Sequence, residues 1–169
     1  MGFWVVEALA GKSGIRLDQW TAERRWGAGR ISGRPATLVQ PLAYMNRSGP
    51  VLVRLMAELE IGRRQMIVVH DDVDLTLGRL KIKEKGGDGG HRGIRSLMDA
   101  LGSGAFCRLR IGIGRPATGI EMVDHVLGEF SPPEMAVMDA AIQRACEAVA
   151  TVLVDGARAA MSRFNTREP

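Results

Sequence analysis

The sequence predicts an α/β fold, and three observations carry that expectation. Met66-Ile67-Val68-Val69-His70 is a continuous apolar run, the pattern of a strand in a sheet covered on both faces. Arg79–Lys83 and Cys107–Ile113 alternate polar and apolar residues, the pattern of half-exposed strands. Between them, Gly93–Leu101 places Ile94, Leu97, Met98 and Leu101 at helical spacing, so strands and helices interleave along the chain.

The remaining elements follow in order. Phe3–Leu9 reads as an amphipathic helix with Phe3, Val6 and Ala10 on its inward face. Residues 19–34 are rich in Arg and Gly and read as exposed loop or short strand. Ala36–Gln40 is a short strand closed by Pro41. Ser48, with Pro50 in the first turn, is the expected N-cap of a helix that carries Val51, Leu55 and Leu59 inward and stops at Gly62. Gly86–Gly90 is a glycine loop. Pro132-Pro133-Glu134 opens a long helix with Met135, Met138, Ile142 and Val149 as its apolar stripe.

Composition sets the outer limits. The 169 residues are 46% apolar and 25% charged, which suits one soluble domain with its own core and argues against a fibrous or disordered chain. No run of apolar residues is long enough to span a bilayer, and the N-terminus lacks the basic and apolar regions of a secretory signal. Cys107 and Cys146 do not make a disulfide framework, so a reducing cytoplasm is the expected compartment. The net charge of +4 is unevenly distributed. Residues 76–116 hold nine basic and three acidic side chains, whereas 117–169 hold four and eight. A basic middle suits a polyanionic partner, or simply a solvated basic face.

Three clusters are candidates for chemistry. His70-Asp71-Asp72-Val73-Asp74 leaves the carboxyl end of the apolar strand, where α/β sheets place their ligands. Its carboxylates suit a magnesium site, an acid that orients a catalytic histidine, or a turn capped by Asp side chains. Gly86-Gly87-Asp88-Gly89-Gly90-His91-Arg92-Gly93 precedes a helix, so free amides, His91 and Arg92 surround an anion-sized position. The loop lacks a Walker ending, and a mobile linker is its bland reading. Tyr44-Met45-Asn46-Arg47-Ser48-Gly49 offers an amide at Asn46 to hold a water or carbonyl, and a ring at Tyr44 to stack on a base; an ordinary loop Asn and a core Tyr are the alternatives. His125 reads as structural, and both cysteines as small buried hydrophobes.

Taken jointly, these segments resemble the bacterial-type peptidyl-tRNA hydrolase family. The resemblance covers nearly the whole chain. It rests on Gln40-Pro41 through Ser48-Gly49, Val69–Leu75 with Leu77-Gly78-Arg79, Gly86–Gly93, Arg108–Pro116, and Val123–Phe130 followed by Ser131-Pro132. It implies a monomeric domain over 1–169 with a mixed twisted sheet between helices, and cleavage of the ester joining a peptide to the 3′ ribose of tRNA. No metal or organic cofactor is implied. By matched position, Asn46 holds substrate and attacking water, Tyr44 flanks the tRNA 3′ end, Asp71 orients and stabilises a catalytic histidine, His91 lines the cleft and Arg92 contacts tRNA. Arg92 stands where the family often has Asn, which replaces amide recognition with a phosphate contact.

The departure is at the front. The family's first strand and the segment bearing its catalytic histidine have no counterpart before Met1-Gly2-Phe3, so the chain is expected to be N-terminally incomplete and short of an interior strand. Three further readings compete with the ester hydrolase: an inactive RNA-binding relative, a hydrolase in which His91 serves as base, and a metal-dependent hydrolase built on Asp71, Asp72 and Asp74.

Overall fold

A computed structural model describes residues 1–116, 118, 119 and 121–166. In chain order the elements are α1 (Gly2–Ser13), β1 (Gln19–Trp20), β2 (Arg24–Ile31), β3 (Arg34–Pro41), α2 (Ser48–Glu58), β4 (Ile67–Asp72), β5 (Leu80–Lys83), α3 (Arg92–Leu101), β6 (Cys107–Gly112), α4 (Met122–Leu127), α5 (Pro132–Asp155) and α6 (Ala157–Phe164). The α/β class is as the periodicity predicts. The strands form two sheets of three. β1, β2 and β3 make an antiparallel meander, while β6 lies between β4 and β5 in a mixed sheet.

β6 runs parallel to β4 and antiparallel to β5, and Ile111 sits opposite both Asp71 and Leu80. Its residues split by parity, as a strand's must. Cys107, Leu109 and Ile111 join the main core with Leu80 and Ile82, under Val5 and Leu9 of α1, Met138 and Ala145 of α5, and Phe164 of α6. A second core holds Ile94 and Leu97 of α3 with Phe106, and Met66 and Val68 pack on it. Each such fully buried aliphatic side chain contributes about 1.5–3 kcal/mol. The outer edge of β5 is closed by one side chain: Asn165 accepts from the Ile82 N–H at 2.6 Å and returns an amide N–H to the Ile82 carbonyl at 3.0 Å. This mimics a neighbouring strand and blunts the edge.

The Arg- and Gly-rich stretch, read as loop or short strand, is a full strand. β2 pairs along its whole length with β3 around a turn at Ser32 and Gly33, both at positive φ. Its glycines admit the chain that follows α1: a Cβ at Gly27 would strike the Arg16 carbonyl, and one at Gly29 would meet Ile15. The inward face of α1 also differs from expectation. Val5, Leu9 and Ala10 are buried, whereas Phe3 is exposed and lines a cavity together with Val6. Likewise α2 starts at Ser48 rather than after it, and ends at Glu58 before Glu60 at positive φ, so Arg47 is the N-cap and Gly62 lies beyond the helix.

α2 and α3 cross at close range through Gly49. Its N–H donates to Ser96 Oγ at 3.0 Å, and a Cβ there would collide with the Ser96 carbonyl. No helix among the described residues is long and apolar enough to cross a membrane. Gly49→Ala is expected to force the two helices apart and to lower the free energy of urea unfolding by about 1–3 kcal/mol. An unchanged denaturation midpoint would remove the constraint assigned to this crossing.

Candidate functional site

The site lies where β4 ends and α3 begins. Parallel strands need a crossover, and α3 supplies the one between β4 and β6. This brings Asp71, at the carboxyl end of β4, to His91, the N-cap of α3, with His91 Nε2 3.9 Å from Asp71 Oδ1. Met45, Ser48, His70, Asp71, His91 and Gly93 line part of a cavity of about 750 Å³ whose remaining walls are mostly apolar. Met45 Cγ and the His91 ring both lie about 3 Å from where a Gly93 Cβ would stand, so the Tyr44–Arg47 segment packs directly on the start of α3.

The three imidazoles have distinct states. His91 Nδ1 accepts the Ile94 N–H at 3.3 Å, which leaves the proton on Nε2, facing Asp71. His70 Nδ1 donates to the Asp71 carbonyl at 2.7 Å, so its Nε2 carries the lone pair; that atom is buried and has no partner among the described residues. Its ring meets that of His91 edge to face, with centroids 4.7 Å apart. Burial, aided by the neighbouring His91, pushes the His70 pKa down to about 4. His125 Nε2 donates to the Gly114 carbonyl at 2.9 Å and ties α4 to the end of β6, the structural role its sequence context suggests. None of the three therefore presents an accessible lone pair beside Asp71, and His91 as general base would first have to abandon its helix cap.

Asp71 is half-buried and balances two influences. Burial raises its carboxyl, but the neighbouring His91 ring outweighs this and holds it below the usual carboxylate range. The carboxylates that follow have partners of their own. Asp72 pairs with Arg110, and Asp74 with Arg115 at 2.7 Å. The three are thus divided among three different basic side chains and do not converge, which removes the support for a metal-dependent hydrolase.

The glycine loop is tied down rather than loose. Arg108, buried in β6, donates to the carbonyls of Gly86, Gly87 and Gly104 at 2.5–3.0 Å, and Asp88 holds the loop from the other side through Gly90 and Arg95. Arg108, one of the nine basic residues of 76–116, belongs to the interior and not to a basic face. Tyr44 is 80% exposed, not a core residue. Asn46 and Arg92 are also exposed, and neither makes a side-chain hydrogen bond among the described residues. These three lie outside the cavity lining, with Asn46 and Arg92 each one residue from a lining residue, Met45 and His91. His70 and Arg108 are the residues whose parts the sequence did not disclose. The only signal for His70 was its place at the end of an apolar strand.

A sheet with an Asp–His pair at the carboxyl end of a parallel strand defines an α/β protein with its ligand site at that end. Comparison with known proteins makes this specific. The family model described as peptidyl-tRNA hydrolase matches residues 1–169. Peptidyl-tRNA hydrolases of Caldanaerobacter subterraneus subsp. tengcongensis and Bacillus subtilis are 42% and 38% identical, over 98% and 99% of this chain and 89% of each relative. The crystal structure of peptidyl-tRNA hydrolase from Acinetobacter baumannii superposes with a TM-score of 0.90 at 37% identity, covering 99% of this chain and 85% of that one. The chain belongs to the peptidyl-tRNA hydrolase family.

The His70 environment has a measurable consequence. Its folded pKa lies below the unfolded value of 6.5, so the unfolded chain binds the extra proton more tightly. The stability associated with neutral His70 is complete above about pH 6.5 and falls as pH drops toward about 4, by up to about 3 kcal/mol. His70→Gln is expected to flatten this acid limb in urea titrations, and the His70 ring resonances of the native protein should stay neutral at pH 5. A His70 that titrates near 6.5 in the folded protein would contradict the burial assigned to it.

Proposed function

We propose that this chain hydrolyses the ester joining a peptide to the 3′ ribose of tRNA, acting in the cytoplasm as a monomer. The observation that carries the reading is the meeting of Asp71 and His91 at the mouth of a cleft, beside the exposed Tyr44–Asn46 segment, in a chain that belongs to this family over its whole length. Asp71 is the ionised acid that orients and stabilises an imidazole. Asn46, whose free amide both donates and accepts, holds the ester carbonyl and the attacking water. Tyr44 stacks against the 3′-terminal nucleotide, and Arg92 meets a phosphate at the start of α3. His91 lines the cleft with its Nε2–H toward Asp71.

In the reaction, water attacks the ester carbonyl, the tetrahedral intermediate collapses, and the ribose hydroxyl leaves with a proton while the peptide departs as a carboxylic acid. Held in place, ester and water react as though within one molecule. General-base assistance adds a further ~10²–10⁴-fold, and among the described residues that share requires the His91 ring beside Asp71 to give up its cap on the Ile94 N–H and free a lone pair.

Hydrolysis of an N-acetylated aminoacyl-tRNA by the purified chain tests this. Asp71→Asn is expected to lower kcat by about 10²-fold and leave tRNA affinity nearly unchanged, as befits a group acting in the chemical step. Equal rates for the two proteins would remove Asp71 from the mechanism. A folded chain that binds tRNA and cleaves no ester would favour the RNA-binding reading instead. Separately, Arg92→Ala is expected to weaken tRNA binding and to reduce the slope of log affinity against log salt by about 1. An unchanged slope would show that Arg92 touches no phosphate.

A further inference from the structure

Asn46 stands on a turn whose anchorage comes from elsewhere in the fold. Met45–Arg47 form a single 3-10 turn that runs without a break into α2, because Ser48 closes the one and opens the other. The turn and the start of the helix are one piece, so Asn46 stands wherever the first turn of α2 is held. Every helix start leaves amides that find no acceptor within the helix. Of the first three positions of α2, Ser48 donates its N–H back to the Met45 carbonyl, and Pro50 has no N–H to satisfy. The Gly49 N–H is left.

A helix commonly satisfies such an amide with its own N-cap side chain. The N-cap of α2 is Arg47, whose guanidinium can only donate and makes no cap. Ser96 of α3 takes that place: its Oγ accepts the Gly49 N–H at 3.0 Å, and the residue is 9% exposed. The cap is thus supplied by a neighbouring helix. One turn earlier on the same side of α3, Gly93 receives Met45, whose Cγ lies 3.0 Å from where a Gly93 Cβ would stand. A methionine side chain is flexible and lets the two helices slide, whereas a buried hydrogen bond holds one register. α3 is also the helix whose N-cap, His91, faces Asp71. The Ser96 bond therefore fixes the Asn46 turn in the same frame as the His91–Asp71 pair.

We propose that Ser96 is a positioning residue for Asn46: by capping α2 from outside, its hydroxyl sets where the Asn46 amide stands relative to Asp71 and His91. Its effect on the reaction rests on the role given above to Asn46, which holds the ester carbonyl and the attacking water. Ser96 acts on that pair only through Gly49 and the turn before it. Groups held for reaction lose rate steeply when they are displaced. An unpinned turn therefore slows the chemical step, while tRNA affinity, which rests on phosphate contacts made by other residues, stays nearly constant.

Three variants of the full chain separate the hydroxyl from the space it fills. Ser96→Ala removes the acceptor. Ser96→Thr and Ser96→Val share one shape and differ in the hydroxyl, so strain from the added bulk cancels between them. With N-acetylated aminoacyl-tRNA, well below the unfolding temperature, kcat is expected to fall at least ~10-fold from native to Ser96→Ala and from Ser96→Thr to Ser96→Val. The affinity for tRNA is expected to stay within about 2-fold in each comparison. Either comparison suffices if a member of the other does not fold. A second measurement does not need turnover: the NMR signals of the Asn46 side-chain amide are expected to shift in Ser96→Ala and Ser96→Val, while those of the β6 amides stay in place. Native kcat without the hydroxyl, a loss confined to tRNA affinity, or an Asn46 signal that does not move would each overturn the proposal. A native chain that cleaves no ester would instead sink the reading of Asn46 as the substrate-holding group, and the Asn46 signal would then decide alone whether Ser96 positions it.

Discussion

Two strands of this protein, β4 and β6, run parallel in adjacent positions, and that single relationship dictates where its chemistry lies. Parallel neighbours cannot be joined by a hairpin, so the chain must leave the sheet, pass through β5 and return by way of α3. The start of α3 then falls beside the end of β4. Asp71 and His91, twenty positions apart in sequence, become neighbours because one ends the outgoing strand and the other caps the returning helix. The Gly49–Ser96 crossing extends the same logic by docking α2, and with it the Tyr44–Arg47 turn, onto α3.

Charge is distributed so that part of it is already assigned before any substrate arrives. Asp72, Asp74 and Asp88 each hold an arginine, and buried Arg108 is engaged by three carbonyls of the chain's own loops. What remains for a polyanion are the exposed side chains of the same stretch, Lys83, Lys85 and Arg92. The basic excess of residues 76–116 therefore overstates the surface available to tRNA, because part of it serves folding. Arg108 shows the difference most clearly: its guanidinium lies over Phe106 with its carbon 4.3 Å from the ring centroid and fixes the glycine loop that carries His91 into place.

The parts legible in the sequence are those governed by local periodicity. β4, β5, β6 and α3 appear where apolar spacing puts them, and Met138, Ile142 and Val149 of α5 are buried as their spacing requires. β2 was obscure because Gly27 and Gly29 serve close packing against residues 15 and 16, a tertiary reason that also depresses every local strand signal. Phe3 was misplaced because helical spacing identifies an apolar face but not what it faces; here it meets a cavity instead of a core. Within the site, Asp71 and His91 were named together only through the joint pattern of motifs. Their contact is a product of topology, which no single segment encodes. The tautomers of His70 and His91 depend on one backbone carbonyl and one backbone amide, and those are fixed only in the folded chain.

The two thiols sit on different elements of the one main core. Cys107 begins β6 in the mixed sheet and Cys146 lies in the middle of α5; both are buried, and burial pushes the Cys107 thiol up to about 11 and the Cys146 thiol upward as well. At neutral pH neither forms much thiolate while the fold is intact, so neither is open to alkylation or oxidation. Each becomes reactive only when the packing around its own element opens. The protein thus carries two built-in reporters of local opening, one for the sheet and one for the helix that covers it. The order in which they react would reveal which layer lifts first.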